Sequence, residues 1–412
     1  MAPERGYLAD RSRPARQARP SARGVAIRAL LAAEDGARAN IELPRLLAAS
    51  GLSQRDRAFA TELTYGTLRM LRACDWLIGQ FHTGELEPVV LATARTGAYQ
   101  LAYMRVPAYA AVSATVAESP PRAKPLLNAV LRRIGALVEA GPLRWPDAGT
   151  RLSYPNWVVA RLVGDLGEAQ AFAALEQMNE PASVHMRPDG YVQDLASQWV
   201  GEHMGELLSD APAGPVLDLC AAPGGKATQL ARCGRFVVAA DVAASRAQMI
   251  AANVSRLGLG DVSVLVADGT VPSLRPASFA GVLVDAPCSG LGVLRRRPDA
   301  RWRARPEDVP RLAQLQRRLL AAAASLVCPG GVLVYSVCTL TWEETTGIDE
   351  WLVGKAGATT TSPPGGAWQA VRAPGPPWEP FGRGARLLPQ AAGTDGMYVL
   401  ALGRTEEHGA RS

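Results

Sequence analysis

Two cysteines in the second half of the chain follow apolar runs that end in small and polar residues. Cys288 lies in the string DAPCSG (285–290), and Cys338 lies in the string YSVCTL (335–340). Because the carboxyl ends of parallel strands meet at one edge of a sheet, adjacent strands would deliver both thiols to one pocket. A lone cysteine is more often a small buried apolar residue. A pair of thiols at one site instead predicts covalent catalysis, since a thiolate is a strong nucleophile.

A second candidate site is the stretch VLDLCAAPGGKATQL (216–230), in which an apolar run ends in a turn of small residues and a helical segment follows. This order is typical of a buried parallel strand, a loop and a crossover helix. Two adjacent glycines let the backbone approach a ligand, and the start of the helix offers unpaired N–H groups. The candidate cofactor-binding residues of the loop are Cys220, Ala221, Ala222, Pro223, Gly224, Gly225 and Lys226.

The loop differs from two common nucleotide-binding motifs. A P-loop requires Gly at position 220 and Ser or Thr at position 227, whereas the chain has Cys220 and Ala227. The G-x-G-x-x-G spacing of most dinucleotide sites is also missing from this stretch. The sequence therefore argues against an ATPase of the P-loop type.

Aspartates follow three of the predicted strands. Asp241 ends the second strand, where a carboxylate can accept both ribose hydroxyls of a bound nucleoside. Asp268 ends the third strand, where it is placed to accept from an adenine amino group, and Asp285 ends the fourth. Each could instead cap a helix. Three aspartates after three successive strands favour a binding site.

The elements that must position these residues are apolar strands that alternate with helices between residues 205 and 404. The strand-like runs are 216–220, 235–240, 263–267, 281–284 and 332–337. Their alternation with helices predicts a doubly wound α/β domain. In residues 25–145, by contrast, apolar residues recur at three- and four-residue steps, which predicts helices without strands.

Composition limits the class of protein. The chain has 412 residues, 48% of them apolar and 20% charged, which predicts two or three folded domains. Its net charge of +6 favours an anionic partner. The six cysteines form no C-x-x-C pair and the four histidines are scattered, so we expect no metal. No apolar run reaches the roughly 18 residues of a membrane helix, and no apolar leader is visible, so we expect a cytoplasmic protein.

The same patterns divide the chain into five segments. Residues 1–24 form a basic arm with six arginines that we expect to be disordered. The helical domain covers 25–145, and the Gly-Pro and Trp-Pro-Asp strings near its end mark a boundary. Residues 146–204 are interpreted as a helical linker with a shortened adaptor, 205–404 as the α/β domain, and 405–412 as a frayed tail.

The string DLCAAPGGK (218–226) closely resembles the signature of the S-adenosylmethionine-dependent RNA cytosine-5 methyltransferases. The strings LSQRDRAFATELTYGTLR (52–69) and LLNAVLRRI (126–134) resemble the helical NusB-type RNA-binding domain that precedes one bacterial class of these enzymes. The chain is therefore similar to the NusB-domain-containing 16S rRNA cytosine-C5 methyltransferases. This resemblance implies a class I methyltransferase sheet behind an all-α NusB-like domain, S-adenosylmethionine as the cofactor, and RNA, foremost 16S rRNA, as the partner.

The resemblance also implies roles for the two thiols. Carbon 5 of cytosine becomes nucleophilic when a thiolate adds to carbon 6, and a base must afterwards remove the carbon-5 proton. By resemblance Cys338 is the adding nucleophile, Cys288 assists release, and Asp285 hydrogen-bonds the cytosine and favours protonation at N3. DNA cytosine-5 enzymes would place the nucleophile in a Pro-Cys motif such as the one at Cys288. The Y-S-x-C-T setting of Cys338 favours the RNA type.

Basic residues are expected to complete the site. Lys226 and a cluster of arginines would make the pocket electropositive, with the arginines on phosphates and Trp302 stacked on a base. The cluster consists of Arg295, Arg296, Arg297, Arg301, Arg303 and Arg305. In the helical domain the arginines that could face RNA, or simply be solvated, are Arg55, Arg57, Arg69, Arg72, Arg132 and Arg133.

The chain departs from this family in two places. The string MRPDG (186–190) runs almost directly into QDLASQ (193–198), where the family usually inserts an RRM-like module, and Thr345 stands where many members have Asn. The missing module leaves open a methyltransferase for another RNA or for a small aromatic acceptor. A second alternative is an RNA-binding assembly factor without catalysis, although binding alone requires neither thiol.

Overall fold

The computed structural model describes residues 20–353 and 368–405 of the chain. The chain divides into two compact units, with the division between Arg144 and Trp145. This division coincides with the proline- and glycine-containing strings at 141–147.

The described part of the first unit contains helices and no strand. Two of the helices begin at serine caps: the Ser21 hydroxyl accepts from the N–H of Gly24 at 2.9 Å, and the Ser53 hydroxyl accepts from the N–H of Asp56 at 3.2 Å. The helices are α1 (Ala22–Glu34), α2 (Ala39–Ser50), α3 (Gln54–Arg69), α4 (Leu71–Gly79), α5 (Pro88–Tyr103), α6 (Ala108–Ala117) and α7 (Lys124–Glu139). The prediction of an all-helical domain is confirmed.

The predicted disordered arm, residues 1–24, falls mostly on residues 1–19, which lie outside the described residues. Its last residues are an exception, because Ser21 caps α1 and the helix begins at Ala22. The disorder prediction is therefore wrong for residues 22–24. Arg23 holds its place through a bond from Nε to Gln100 Oε1 at 3.0 Å. The predicted tail beyond Thr405 also lies outside the described residues.

The second unit is built on one sheet with the strand order β3-β2-β1-β4-β5-β9-β8-β7, in which β6 also pairs with β9. The first five strands are mutually parallel, and the later ones are antiparallel to their neighbours. The strands are β1 (Val216–Asp218), β2 (Val237–Asp241), β3 (Val262–Val266), β4 (Phe279–Asp285), β5 (Val327–Val337), β6 (Trp368–Ala370), β7 (Glu379–Phe381), β8 (Gly384–Leu387) and β9 (Met397–Arg404).

Helices cover both faces of this sheet, since apolar side chains of the parallel strands are buried on both sides. The helices are α8 (Ala148–Leu152), α9 (Asn156–Leu166), α10 (Glu168–Gln177), α11 (Leu195–Asp210), α12 (Gly225–Ala231), α13 (Ala244–Arg256), α14 (Ala300–Arg303), α15 (Asp308–Leu326), α16 (Thr346–Leu352) and α17 (Pro389–Ala392). One face packs on α11, α12 and α13, and the other packs on α15 and α16. The predicted doubly wound class I sheet is confirmed.

The direction of winding reverses between β1 and β4. The chain runs outward from β1 through β2 to β3, and then returns to place β4 on the other side of β1. In an open parallel sheet, ligands bind at the carboxyl ends of the strands beside such a switch point. The glycine loop after β1 and the cysteine loops after β4 and β5, which the sequence predicts to form the site, all leave the sheet at this edge.

The segment 146–204, interpreted from sequence as a linker, packs against the α/β fold. Its helices α8, α9 and α10 share a core with Leu291 and Leu294, which follow β4, and with Leu340, which follows β5. Between Met178 and Leu195, all of which the structure describes, the chain forms one isolated bridge from Met186 to Val192. A short turn thus occupies the position at which the resemblance leads us to expect a module.

Candidate functional site

The two candidate thiols lie side by side. Strands β4 and β5 are parallel neighbours, with Asp285 opposite Ser336, and the loops that leave them carry Cys288 and Cys338. The two Sγ atoms are 3.3 Å apart, and both residues are partly buried. The structure therefore brings together the pair that the sequence singled out.

This contact couples the protonation of the two thiols. The pKa of Cys288 is raised well above its ordinary value, first by its hydrogen bond with Cys338, then by burial and by the charges of Cys338 and Glu344. Two sulfurs this close cannot both carry a negative charge without strong repulsion. When Cys338 ionises, Cys288 therefore retains its proton and can donate it in a hydrogen bond.

Glu344 holds the two cysteine loops together. It is completely buried, and its carboxylate accepts from the N–H and hydroxyl of Ser289 at 2.8 and 2.5 Å, from Thr341 at 2.8 Å and from Gln316 at 3.0 Å. Ser289 follows Cys288 directly, and Thr341 lies three residues beyond Cys338. Sequence reasoning noted only a departure at this string and missed this role, because no local pattern shows that the carboxylate is buried.

Asp285 connects the thiols to the glycine loop. Its Oδ2 atom accepts from Lys226 Nζ at 2.7 Å, and its Oδ1 atom accepts from the Ser336 hydroxyl at 2.6 Å. The carboxylate keeps about a third of its side-chain surface exposed, at 34%, whereas Lys226 keeps 7%. Lys226 is therefore paired with a carboxylate, which gives it a local structural and electrostatic role.

The glycine loop folds tightly against its neighbours. Gly224 has φ +104°, a left-handed conformation that side chains rarely adopt, and a Cβ there would stand 3.3 Å from the side chain of Ile250. From α13, Arg246 donates to the carbonyl of Ala222 at 3.3 Å and Asn253 donates to that of Pro223 at 3.0 Å. The N–H of Ala221 is bonded to the Ala240 carbonyl at 2.8 Å. These contacts fix the loop at the start of α12.

A cavity of about 260 Å³ opens beside this loop. Its wall includes Cys220 after β1, Asp241 at the end of β2 with Val242 after it, Asp268 after β3, and Leu315 from α15. Burial raises the pKa of the Cys220 thiol, which favours an inert structural role over a reactive one. The cavity thus collects residues from four elements at the switch point of the sheet.

The two aspartates of the cavity also cap the turns that follow them. Asp241 is buried, and its carboxylate accepts from the N–H of Ala243 at 3.1 Å and faces Arg246 at 3.3 Å. Asp268 is exposed, and bonds from the N–H and hydroxyl of Thr270, each at 2.8 Å, hold its pKa below the ordinary value. Neither carboxylate caps a helix, because α13 has no side-chain cap and the next element after Asp268 is the strand β4. The helix-cap alternative is therefore wrong for these two residues.

Comparisons with known proteins decide the family. Residues 206–403 match the family described as 16S rRNA methyltransferase RsmB/F, and residues 20–136 match the NusB family. The ribosomal RNA small subunit methyltransferase B of Thermus thermophilus is 38% identical over 354 residues, which cover 79% of this chain and 85% of the relative. The chain belongs to the RsmB/F methyltransferase family. The predicted membership and the predicted cofactor, S-adenosylmethionine, are thereby confirmed.

Two further proteins are similar over most of their length. The putative methyltransferase Rv1407 of Mycobacterium tuberculosis is 37% identical over 437 aligned positions, which cover 89% of this chain and 92% of the relative. The crystal structure of PH0851 has a TM-score of 0.72 at 20% identity and covers 93% of this chain and 98% of its own. The second likeness shows the fold, which therefore recurs at low sequence identity.

Within this RsmB/F family member, Asp218 begins the signature string 218–226 but was not among the predicted site residues. It ends β1 and is 1% exposed, and its Oδ1 atom has no hydrogen-bond partner. Burial, and then the charge of Asp285, raise its pKa to about 7 against the opposing effect of Lys226. The logic applied to the other three aspartates could have found it, because it too follows an apolar strand.

The arginine cluster corrects another expectation. Arg301 is completely buried, lies 3.8 Å from the centre of the Tyr154 ring and donates to the Ser153 carbonyl at 3.1 Å. Arg295 is buried and donates to the carbonyl of Gly393. The prediction that the cluster grips phosphates is wrong for these two, which join loops of the second unit.

The other arginines of the two predicted sets are at least partly exposed, except for Arg69. Arg296 and Arg303 form ion pairs with Asp395 and Asp299, and burial raises the pKa of Asp395 to about 6 despite that pair. Trp302 is half-buried. In the helical unit Arg69 is buried, which contradicts its predicted position facing RNA. The exposed members of both sets are Arg55, Arg57, Arg132, Arg133, Arg296, Arg297, Arg303 and Arg305.

Residues 20–353 and 368–405 show neither a candidate metal site nor a candidate membrane helix. Within these ranges no group of three or more His, Cys, Asp or Glu side chains is arranged to hold a metal ion. None of the helices in the same ranges has both the length and the apolar character needed to cross a membrane.

Proposed function

We propose that the protein transfers a methyl group from S-adenosylmethionine to carbon 5 of a cytosine in 16S rRNA through a covalent adduct with Cys338. The observation that carries this proposal is the 3.3 Å contact between Cys288 and Cys338, beside the Lys226–Asp285 ion pair. Methyl transfer to a nucleophilic oxygen or nitrogen would require neither thiol. The similarity to a small subunit rRNA methyltransferase of Thermus thermophilus supports 16S rRNA as the substrate.

The residues of the cavity fit S-adenosylmethionine. Asp241 and Asp268 supply carboxylates that can accept from ribose hydroxyls and an adenine amino group, and Val242 and Leu315 add apolar surface for a ring. The orphaned, buried oxygen of Asp218 offers an acceptor to an ammonium group. Together with the loop 220–226 and Asp285, these residues would hold the cofactor, which supplies a sulfonium methyl group when bound.

The two thiols act in sequence on the cytosine. The Cys338 thiolate forms a bond to carbon 6, and the electron pair of the 5,6 double bond makes carbon 5 the nucleophile. Carbon 5 would take the methyl group as its bond to the sulfonium sulfur breaks, which leaves a neutral thioether. Asp285 would hydrogen-bond the cytosine and favour protonation at N3 as this negative charge develops. A base then removes the proton at carbon 5, the double bond re-forms, and the bond between carbon 6 and Cys338 breaks to return the thiolate.

The coupling between the thiols supports this order. The pKa of Cys288 is raised chiefly by its hydrogen bond with Cys338, and the charge of Cys338 adds to that effect. Both influences end when the Cys338 sulfur is bonded to carbon, so Cys288 ionises more readily at the stage that needs a base. The proposal therefore gives Cys288 the role in release and Cys338 the role in attack, as the resemblance implies.

Exposed arginines on each unit supply the contact with RNA. Arg55, Arg57, Arg132 and Arg133 lie on helices of the NusB-like unit, and Arg297 and Arg305 lie between Cys288 and the start of α15 in the second unit. Contacts of this kind bind phosphates without reading the sequence.

The experiment measures 5-methylcytidine in 16S rRNA incubated with the protein and S-adenosylmethionine, by nucleoside mass spectrometry and bisulfite sequencing. Wild-type protein should form the product at a defined position, and Cys338→Ser should form none while still binding the cofactor. Cys328→Ser is the matched control, since Cys328 lies near the start of the same strand β5. A fully active Cys338→Ser variant would overturn the covalent mechanism, and methylation of another RNA alone would overturn the 16S assignment.

A further inference from the structure

The short turn 186–192 carries an arginine that reaches into the cofactor loop. The side chain of Arg187 is 4% exposed, and its Nη1 atom donates to the Gly225 carbonyl at 2.5 Å and to Gln193 Oε1 at 3.0 Å. Its Nη2 atom donates to the Thr228 hydroxyl at 3.0 Å. The guanidinium therefore contacts the first turn of α12 from outside the cavity.

The turn also holds Arg187 rigidly. Asp189 accepts from Arg187 Nε at 3.2 Å and from Nη2 at 2.6 Å, and the ring of Tyr191 lies 4.7 Å from the guanidinium carbon. The bridge between Met186 and Val192 closes the turn. Burial alone would raise the pKa of Asp189, but bonds from Arg187, Tyr191 N–H and Arg232 lower it to about 2. The carboxylate therefore stays charged and keeps the guanidinium in place.

The contact at Gly225 constrains the candidate cofactor loop itself. A peptide unit is planar, so fixing the Gly225 carbonyl also fixes the direction of the Lys226 N–H. The space beside Gly225 is filled by Gln193, to which a Cβ at Gly225 would approach within 3.2 Å. Thr228, which Arg187 also contacts, donates to the carbonyls of Gly224 at 2.7 Å and Gly225 at 3.1 Å.

We infer that Arg187 is a positioning residue that holds the Gly224–Gly225 loop in its cofactor-binding shape. The inference rests on the proposed placement of S-adenosylmethionine at this loop. The turn 186–192 then contributes to the affinity for the cofactor. This turn lies at the point in the chain where the family resemblance predicts a larger module. Arg187 acts through the backbone and does not touch the reacting atoms.

The test measures the affinity for S-adenosylhomocysteine by calorimetry on the full chain. Arg187→Lys keeps the charge but cannot reach Gly225, Thr228 and Asp189 at once, because an ammonium lacks the planar fork. We expect its Kd to rise about tenfold and that of Arg187→Met to rise further. Turnover at saturating cofactor should stay within about twofold for the Lys variant, because the reacting groups are unchanged.

Arg235 supplies the matched control. Its guanidinium also donates to backbone carbonyls, those of Leu208 at 2.6 Å and Pro212 at 2.9 Å, but these lie at the end of α11 and beyond it. Arg235→Lys should lower the unfolding temperature without changing the Kd. An equal rise in Kd in both variants would overturn the inference, because it would show a general loss of structure.

Asp241→Asn separates this inference from the proposed function. If Asp241→Asn weakens binding and Arg187→Lys leaves the Kd within twofold of wild type, the positioning role is wrong and the site stands. If neither substitution changes the Kd, the placement of the cofactor is wrong. Should the Arg187 variants fail to fold, Asp189→Asn tests the same contact, with an expected rise in Kd of about threefold, and an unchanged Kd there overturns the role.

Discussion

Two loops of the site are each held by one buried charged residue, and the two residues work differently. Glu344 gathers the cysteine loops by accepting four hydrogen bonds from neutral donors. Arg187 grips the glycine loop with a guanidinium that is matched by the carboxylate of Asp189. Both side chains are at least nine-tenths buried.

The difference lies in charge compensation. Arg187 faces Asp189 at 2.6 Å, so its charge is cancelled locally and it acts on the loop through geometry. The hydrogen bonds recorded for Glu344 come from hydroxyl, amide and backbone groups, and its negative charge contributes to raising the pKa of Cys288. The anchor of the thiols therefore also tunes their chemistry, whereas the anchor of the cofactor loop does not.

Loss of the Cys288 thiol should give the largest effect on activity. It should also distinguish the cysteine loops most clearly from the glycine loop. We expect Cys288→Ala to stop turnover and to accumulate a protein–RNA adduct that survives denaturing electrophoresis, because Cys338 can attack but the product cannot leave. Arg187→Met should form no such stable adduct. The measurement is a gel shift with labelled RNA in the presence of S-adenosylmethionine. Adduct formation by the double variant Cys288→Ala, Cys338→Ser would contradict the assignment of the nucleophile.

Glu344→Gln should give the next largest effect. The amide accepts fewer bonds than the carboxylate and adds N–H donors opposite Ser289 and Gln316, so we expect a loss of about 2 kcal/mol in the free energy of unfolding. The pKa of Cys288 should fall, because one of the charges that raises it is removed. Denaturant unfolding measures the first effect, and the rate of thiol alkylation against pH measures the second.

The neighbouring Glu343 is the control for this experiment. It forms a partly exposed ion pair with Arg161, and 25% of its side-chain surface is exposed. Glu343→Gln should change the unfolding free energy by less than about 1 kcal/mol, as for other exposed pairs. A Glu344→Gln variant with an unchanged thiol pKa would show that Glu344 is only structural, and the contrast with Arg187 would fail.

These anchors also show what the sequence could reveal. The loops were predictable because small residues directly follow apolar strands, so strand order alone placed Cys288 beside Cys338. The anchoring residues Glu344 and Arg187 were not predictable, because each contacts a residue far away in the sequence. Glu344 lies 55 residues from Ser289, and Arg187 lies 38 residues from Gly225. Tertiary packing decides which charged residues are buried, as the wrong prediction for Arg301 also shows.

Asp218 allows a pH test of the cofactor end of the site. Its pKa in the folded protein is about 7, above the value of about 3.9 in an unfolded chain, so the folded state binds an extra proton between these values. The stabilisation of the folded state by this proton is fully present below about pH 4 and is lost as the pH rises through 7. Asp218→Asn should remove this dependence and raise stability at pH 8 relative to wild type. Parallel stability curves for the two proteins between pH 5 and 8 would contradict the buried neutral carboxyl.

Arg232→Ala should give the smallest of these effects. It tests whether Arg187 holds the glycine loop through its hydrogen bonds rather than through the charge around Asp189. Arg232 pairs with Asp189 at 2.9 Å from the far end of α12, but 47% of its side chain is exposed. Solvent screens such a pair, so the loss should be about 0.5 kcal/mol in the unfolding free energy. The Kd for S-adenosylhomocysteine should stay unchanged, because Arg187 still holds the Gly225 carbonyl. A rise in Kd comparable with that of Arg187→Lys would show that the charge around Asp189, rather than the contact at Gly225, sets the shape of the loop.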